Sequence, residues 1–245
     1  GIGAAISLAL KNAGCAVAAT YAGNDEAAAA FTKETGIKTY KWNVANYDDS
    51  KAGLAQVEAD LGPIDIVVAN AGITRDAPFH KMTPGQWQEV IDTNLTGVFN
   101  TVHPVWTGMR ERKFGRIVVI SSINGQKGQA GQANYSAAKA GDLGFTKALA
   151  LELGPRKIRV NSIHPGGILT PMANPTNIPR DVYDRGYWIY PAQKSGSPSD
   201  IGAAAAYLAS DDAQYCIGTE LSVDGGLNAG HYYMAMPGAP KDPNK

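Results

Sequence analysis

Short apolar runs alternate with helical segments along this whole chain, and that alternation limits the fold more than any other feature. The run at 64–69 is almost unbroken in apolar residues, as in a parallel strand covered on both faces. Further strands are predicted at 15–20, 37–44, 116–121, 158–163 and 219–223. Between them lie helical segments. One follows Gly1, Ile2 and Gly3 directly. One runs over 25–35 and is stopped by Gly36. One is capped by Asp48 or Asp49 and ends before Gly62 and Pro63. Thr83 and Pro84 open a long one that runs to Arg112 with a bend near Pro104. A helix over 140–154 and another over 198–208 complete the series. Such alternation implies right-handed βαβ units and an α/β fold with a doubly wound parallel sheet of Rossmann type. The 245 residues suit one such domain, and no internal repeat or domain boundary interrupts them.

Two segments break the rhythm. The stretch 170–196 carries Pro171, Pro175, Pro179 and Pro191 with Tyr183, Tyr187, Trp188 and Tyr190. It is too irregular for a strand and too long for an ordinary connection. It follows the C-terminal end of a strand, where ligands bind in such sheets, and reads as a substrate lid. The tail 230–245 is rich in Tyr, Met, Pro and Lys and reads as irregular.

Composition excludes several classes. With 22 basic and 22 acidic residues the formal charge is zero, and no basic tract points to nucleic acid or an anionic membrane. No apolar run approaches the ~20 residues of a membrane span. Cys15 and Cys216 have no metal or disulfide spacing and read as small buried residues of a reducing compartment, the cytoplasm. His80, His103, His164 and His231 are scattered, so no metal is expected.

The chemistry concentrates at Tyr135, Lys139 and Ser122. Tyrosine and lysine four apart share one face of a helix. A phenol, with a reference pKa of about 10, is a poor acid at neutral pH, and a neighbouring ammonium favours its ionised form. The pair can therefore give and take a proton near working pH. Ser122, at a strand end, can hold a carbonyl oxygen beside the phenol. On spacing alone an exposed helical pair is the commoner reading. Its company changes that. Gly1, Ile2 and Gly3 before a helix can end a phosphate loop. Asn70, Ala71 and Gly72 follow a strand, where a small residue and a glycine let a flat ring or ribose approach. Asn43 and Val44 close an earlier strand, where they can meet an adenine. Asn94 is an unfavourable residue inside a helix, explained by a water-holding amide or by a bond to a backbone carbonyl.

In order along the chain, the Gly1 to Gly3 turn, Asn70 to Gly72, Asn94, Ser122, Tyr135 with Lys139, Pro165 and Gly166 with Thr170, and Asp224, Gly225 and Gly226 resemble the classical short-chain dehydrogenases/reductases. The resemblance covers nearly the whole chain and implies a role for each position. Tyr135 would donate the proton and Ser122 would position the carbonyl oxygen. Lys139 would lower the Tyr135 pKa and bind the nicotinamide ribose. Asn94 would hold a relay water. Pro165, Gly166, Ile168 and Thr170 would lie at the nicotinamide end, with Ile168 and Thr170 meeting the carboxamide. Gly1, Ile2, Gly3, Tyr21, Asn43, Val44, Asn70, Ala71 and Gly72 would complete the dinucleotide site.

Tyr21 stands where members selecting NAD carry an acid for the ribose 2′-hydroxyl. NADPH is therefore expected, with NADH possible because Asp25 and Glu26 lie close. The family's first strand does not precede Gly1 here, so its two sheet neighbours would lack a ladder partner. The stretches 70–76 and 121–135 resemble the acetoacetyl-CoA and 3-oxoacyl reductases. That implies a small carbonyl substrate, a CoA thioester, with Asp76, Gln129 and Gln132 at its entrance. Arg75, Arg180, Arg185 or Lys194 could meet CoA phosphates. Gly167 replaces the tyrosine usual in that subgroup, and the lid, with Tyr183, Tyr187 and Trp188 expected at the substrate, is closer to reductases of other ketones, alcohols or steroids. The family further implies a homotetramer.

Overall fold

In the computed structural model, which describes residues 1–173, 178–187 and 190–230, the alternation becomes an α/β fold whose strands all pair in parallel. The order is α1 (Ile2–Asn12), β1 (Ala18–Tyr21), α2 (Asp25–Thr35), β2 (Lys38–Lys41), α3 (Tyr47–Leu61) and β3 (Ile66–Ala69). Then come α4 (Pro84–Ile91), α5 (Gly97–Arg112), β4 (Gly115–Ile120), α6 (Ile123–Lys127) and α7 (Ala133–Leu153). β5 (Ile158–Pro165), α8 (Arg180–Asp184), α9 (Pro198–Ala209) and β6 (Glu220–Val223) complete it.

Local chemistry explains the helix ends. Gly36 closes α2 at φ 69°, a left-handed conformation that any other side chain would strain. Thr83 opens α4 with a capping box to Gln86, and Pro84 takes the first helical position. Neither Asp48 nor Asp49 caps α3. The cap is Asn46, whose side chain accepts from the Asp49 N–H at 3.1 Å, which leaves both aspartates in the first turn facing the positive helix end. The bend expected near Pro104 is also displaced. α5 runs through Pro104, and the break is a wide π turn at Asp92–Thr96. There Asn94 turns inward and bonds Ile73.

The strands form two sheets. β1 pairs with β2, and a separate sheet runs β3-β4-β5-β6. Among the described residues β1 and β3 share no ladder. Every residue of β4 and β5 is buried, whereas β1 is half-buried with Thr20 exposed. Alternate residues of β4 serve opposite layers. Ile117 and Val119 pack with Val102, Val105 and Met109 of α5 and Leu153 of α7. Val118 and Ile120 pack with Ile6 and Leu10 of α1 and Ile201 and Leu208 of α9. Each such side chain contributes about 1.5–3 kcal/mol on burial. Cys15 and Cys216 are free and only half-buried, because they sit at the margin of the α1–α9 layer, not inside it. No helix among the described residues is long and apolar enough to cross a membrane.

The excursion after β5 is laced at its base. The Gly196 N–H donates to the Gly167 carbonyl and the Leu169 N–H to the Gly196 carbonyl, each at 2.9 Å. Within it lie α8 and a short 3-10 turn at Arg185–Tyr187. The tail expected over 230–245 lies outside the described residues from 231 onward.

Candidate active site

Parallel pairing brings the strand ends of the larger sheet to one edge. Asn70, Ala71 and Gly72 leave β3 there, Ser122 leaves β4, and Gly166 leaves β5. A Cβ on Gly166 would stand 2.6 Å from the Asp224 Cα beyond β6, so the two strand exits are pressed together. The N-terminus of α1 joins this edge, since a Cβ on Gly3 would lie 2.8 Å from the Asn70 Nδ2.

Ser122 caps α6, its Oγ accepting from the Asn124 N–H at 3.1 Å. That bond uses a lone pair and leaves the hydroxyl hydrogen to donate to a substrate oxygen. Tyr135 is half-buried in the first turn of α7, and Lys139 is buried one turn on. The Lys139 Nζ donates to the Ile120 carbonyl at 2.8 Å and to the Asp142 Oδ2 at 3.1 Å, which leaves one N–H unused. The Ser121 hydroxyl donates to the Lys139 carbonyl at 2.8 Å and binds α7 to the end of β4. Asn134, fully buried, donates to the Arg75 and Gln86 carbonyls and fixes the start of α7. Asn94 is buried too. Its Oδ1 accepts from the Ile73 N–H at 2.8 Å and its Nδ2 donates to the Ile73 carbonyl at 2.9 Å. The bland alternative for Asn94, an amide spent on backbone, is therefore present in the structure.

Asp76, Gln132 and Asn124 form a chain at the mouth. The Gln132 Nε2 donates to the Asp76 Oδ2 at 2.8 Å, and the Asn124 Nδ2 donates to the Gln132 Oε1 at 2.9 Å. Gln129 is exposed and accepts from Lys127 at 3.2 Å, on a loop held to the Asp76 side by the Ala77 N–H donating to the Gly131 carbonyl. In the excursion the Tyr183 and Tyr187 hydroxyls lie 2.9 Å apart, and Tyr187 covers Gly167 so closely that a Cβ there would stand 2.0 Å from its ring. Burial and the Tyr183 hydroxyl both hold the Tyr187 phenol in its neutral form. Trp188 lies outside the described residues. Two basic residues expected at a phosphate are already committed. Arg75 pairs with Glu89 at 2.7 Å. Arg180 pairs with Asp184 at 3.3 Å and donates to the Ser195 carbonyl. Arg185 and Lys194 remain exposed.

A family model described as enoyl-(acyl carrier protein) reductase matches residues 1–228. An acetoacetyl-CoA reductase of Paracoccus denitrificans is 63% identical over 96% of this chain and 95% of its own length. Another, of Shinella zoogloeoides, is 61% identical over 92% of this chain and 93% of its own length. The crystal structure of a levodione reductase superposes with a TM-score of 0.87 at 32% identity, over 94% of this chain and 95% of that one. The chain belongs to the short-chain dehydrogenase/reductase family. It is an oxidoreductase acting on carbonyl or hydroxyl groups.

A short-chain dehydrogenase/reductase works with a nicotinamide dinucleotide, and the residues here fit one. α1 starts at a glycine with no side-chain cap and no acid in its first turn, so its free amides and positive end suit a pyrophosphate. Gly3 lies where a side chain would crowd Asn70, while a Cβ on Gly72 would stand in ordinary contact with the Asn94 Oδ1 at 3.6 Å. Val44 packs on Gly97, and its carbonyl accepts from Asn100 at 2.8 Å, while the Asn43 side chain accepts from the Ala45 N–H at 3.0 Å. At the end of β1 the Tyr21 hydroxyl bonds Asp25, which holds that phenol protonated, and Asp25 pairs with Lys41 at 2.9 Å. Ile168 is buried, and Thr170 accepts from the Ala173 N–H at 3.2 Å.

Sequence reasoning passed over three residues. Asn124 stands two positions after Ser122. His164 stands at the end of β5, between Ile163 and Pro165. Its Nδ1 lies 3.3 Å from the Ser122 carbonyl, which can only accept, so Nδ1 carries the hydrogen and Nε2 accepts from the Ser162 hydroxyl at 2.8 Å. Burial keeps this imidazole neutral. Asp142 is the third, and its spacing from Tyr135 and Lys139 was the available signal.

Proposed function

We propose that this protein reduces a 3-oxoacyl thioester of the acetoacetyl-CoA type to the 3-hydroxyacyl product, with NADPH as hydride source and Tyr135 as proton donor. One observation carries the reading. Ser122, its hydroxyl hydrogen unspent, follows the strand end to which Lys139 of the tyrosine–lysine helix is bound, and the Asp76–Gln132–Asn124 chain begins two residues after it. The relatives called acetoacetyl-CoA reductase, matching over nine-tenths of the chain, support the substrate class.

The bound dinucleotide supplies the hydride. Ser122 donates to the carbonyl oxygen and fixes its direction. Tyr135 delivers a proton to that oxygen as negative charge develops there. Lys139 stabilises the resulting phenolate and offers its unused N–H to the ribose. Asn94 keeps a second lone pair and a second N–H beyond its Ile73 bonds, and these serve a water that returns the proton. Gly1, Ile2, Gly3, Asn43, Val44, Asn70, Ala71 and Gly72 would hold the dinucleotide, with Pro165, Gly166, Ile168 and Thr170 at its nicotinamide end. Tyr21 in place of an acid, with Lys41 holding Asp25, favours the 2′-phosphate of NADPH. Gln132 and Asp76, with Gln129 at the rim, would meet the thioester, and Arg185 and Lys194 its phosphates. The exposed apolar Phe99, near Trp106, Phe145 and Leu149, offers α5 and α7 as a face for the tetramer.

Gly167 and its cover, Tyr187, support a second reading, a ketone of another shape under an aromatic lid. A panel of acetoacetyl-CoA, ethyl acetoacetate, a bulky cyclic ketone and an enoyl-CoA, each with NADPH and NADH, separates the readings. Acetoacetyl-CoA with NADPH should give the highest kcat/KM. Preference for the cyclic ketone would favour the second reading. Tyr135→Phe should lower kcat by about 10²–10⁴ while cofactor binding persists; retained turnover would remove the mechanism. Tight NADPH binding without turnover on any ketone would instead mark a non-catalytic binding protein.

A further inference from the structure

We infer that Asp142 is a positioning residue for this reduction: it holds the Lys139 ammonium in its buried place on α7 and sets the alkaline pH limit of turnover. The inference rests on the roles proposed for Tyr135 and Lys139. Tyr135, Lys139 and Asp142 follow at i, i+4 and i+7, one stripe of one helix. Lys139 is 3% exposed and Asp142 0%. An ammonium so removed from water needs a counter-charge, and the carboxylate at 3.1 Å supplies it. The second carboxylate oxygen, Oδ1, is buried with no hydrogen-bond partner. A group left half-satisfied contributes poorly to stability, so its fit to Lys139 is what its position serves.

Burial pushes the Asp142 carboxyl up to about 6, with Lys139 holding it down. At neutral pH the carboxylate is therefore mostly ionised. From β5, the titratable group that feels the same ammonium is His164, and burial keeps it uncharged. The working state needs a phenol O–H and an ammonium together. Loss of one proton, from oxygen or from nitrogen, takes that pair from one positive charge to none. A neighbouring negative charge opposes the loss in either case, so the sign does not depend on which group releases the proton. Replacing the carboxylate by a neutral group of the same shape must let the proton leave at lower pH.

Asp142→Asn should move the alkaline limb of the kcat/KM profile for NADPH-dependent ketone reduction down by about one pH unit or more. The acid-side inflection that the carboxyl gives the parent should vanish. A second measurement needs no cofactor. The ultraviolet phenolate absorbance of the parent minus that of Tyr135→Phe isolates one tyrosine among 11. The same difference taken in the Asp142→Asn background should titrate at lower pH. Asp142→Ser should reproduce both shifts, and Asp142→Glu should restore the parent limb. Unmoved midpoints in the Asn and Ser variants would overturn the inference, even with lowered melting temperatures, because the role would then be structural only. An active Tyr135→Phe enzyme would instead remove the assignment beneath it.

Discussion

The edge around Ser122 and Lys139 and the excursion that faces it are built in opposite ways. The edge stands on β4 and β5, buried along their whole length, and on α7, bound to β4 through Ser121, Lys139 and Ile120. The described part of the excursion holds its shape through polar side chains and tilted, half-buried rings. Asp184 bonds the Ser195 N–H and hydroxyl, and the rings of Tyr183, Tyr187 and Tyr190 lie 4.8–5.2 Å apart in succession. Proton transfer needs fixed distances, which close packing supplies. Admission of substrate needs a part that yields, and as the proposed lid the laced excursion would be that part.

Three substitutions sharpen that contrast. Ser122→Ala strikes the rigid side and should lower kcat by about 10²–10³ with dinucleotide binding intact. It also removes the α6 cap, for about 1 kcal/mol of stability. A loss that appears only in KM would place Ser122 outside the chemistry. Gly167→Ala strikes the excursion, the proposed lid. Its methyl would meet the Tyr187 ring at 2.0 Å and must displace it. Overpacking of this kind costs about 1–3 kcal/mol, so KM for the ketone should rise roughly tenfold while kcat holds. A fall in kcat alone would show that Tyr187 takes part in the chemistry. Lys41→Ala touches the exposed end of β2. Freed from its ion pair, Asp25 would disfavour a 2′-phosphate, and the NADPH/NADH preference should fall by no more than about fivefold. An unchanged ratio would separate Lys41 from cofactor choice.

The fold, and the tyrosine, lysine and serine proposed to react, were legible as a pattern because their signals are local. Periodicity marks β3 and β4 whatever surrounds them, and Tyr135 with Lys139 needs only a helix to share a face. Charged surface residues were legible only as candidates. Arg75, Arg180, Arg185 and Lys194 look alike in sequence, yet Glu89 and Asp184 hold the first two and leave the others exposed. Asn94 shows the same limit. An asparagine inside a helix signals something unusual, but its partner, Ile73, stands 21 residues away.

The sequence by itself determined the alternation of strands and helices, the helix caps at Gly36 and Thr83, and the identities of the serine, tyrosine and lysine. Each depends on residues within a few positions of one another. Tertiary structure alone decided that the helix after Thr83 breaks at a π turn, and that Asp142 and His164 sit buried against the Lys139 ammonium and the Ser122 carbonyl. Those outcomes depend on which distant segments exclude water together, and burial strengthens an ion pair or fixes a neutral imidazole only once packing has placed its partner.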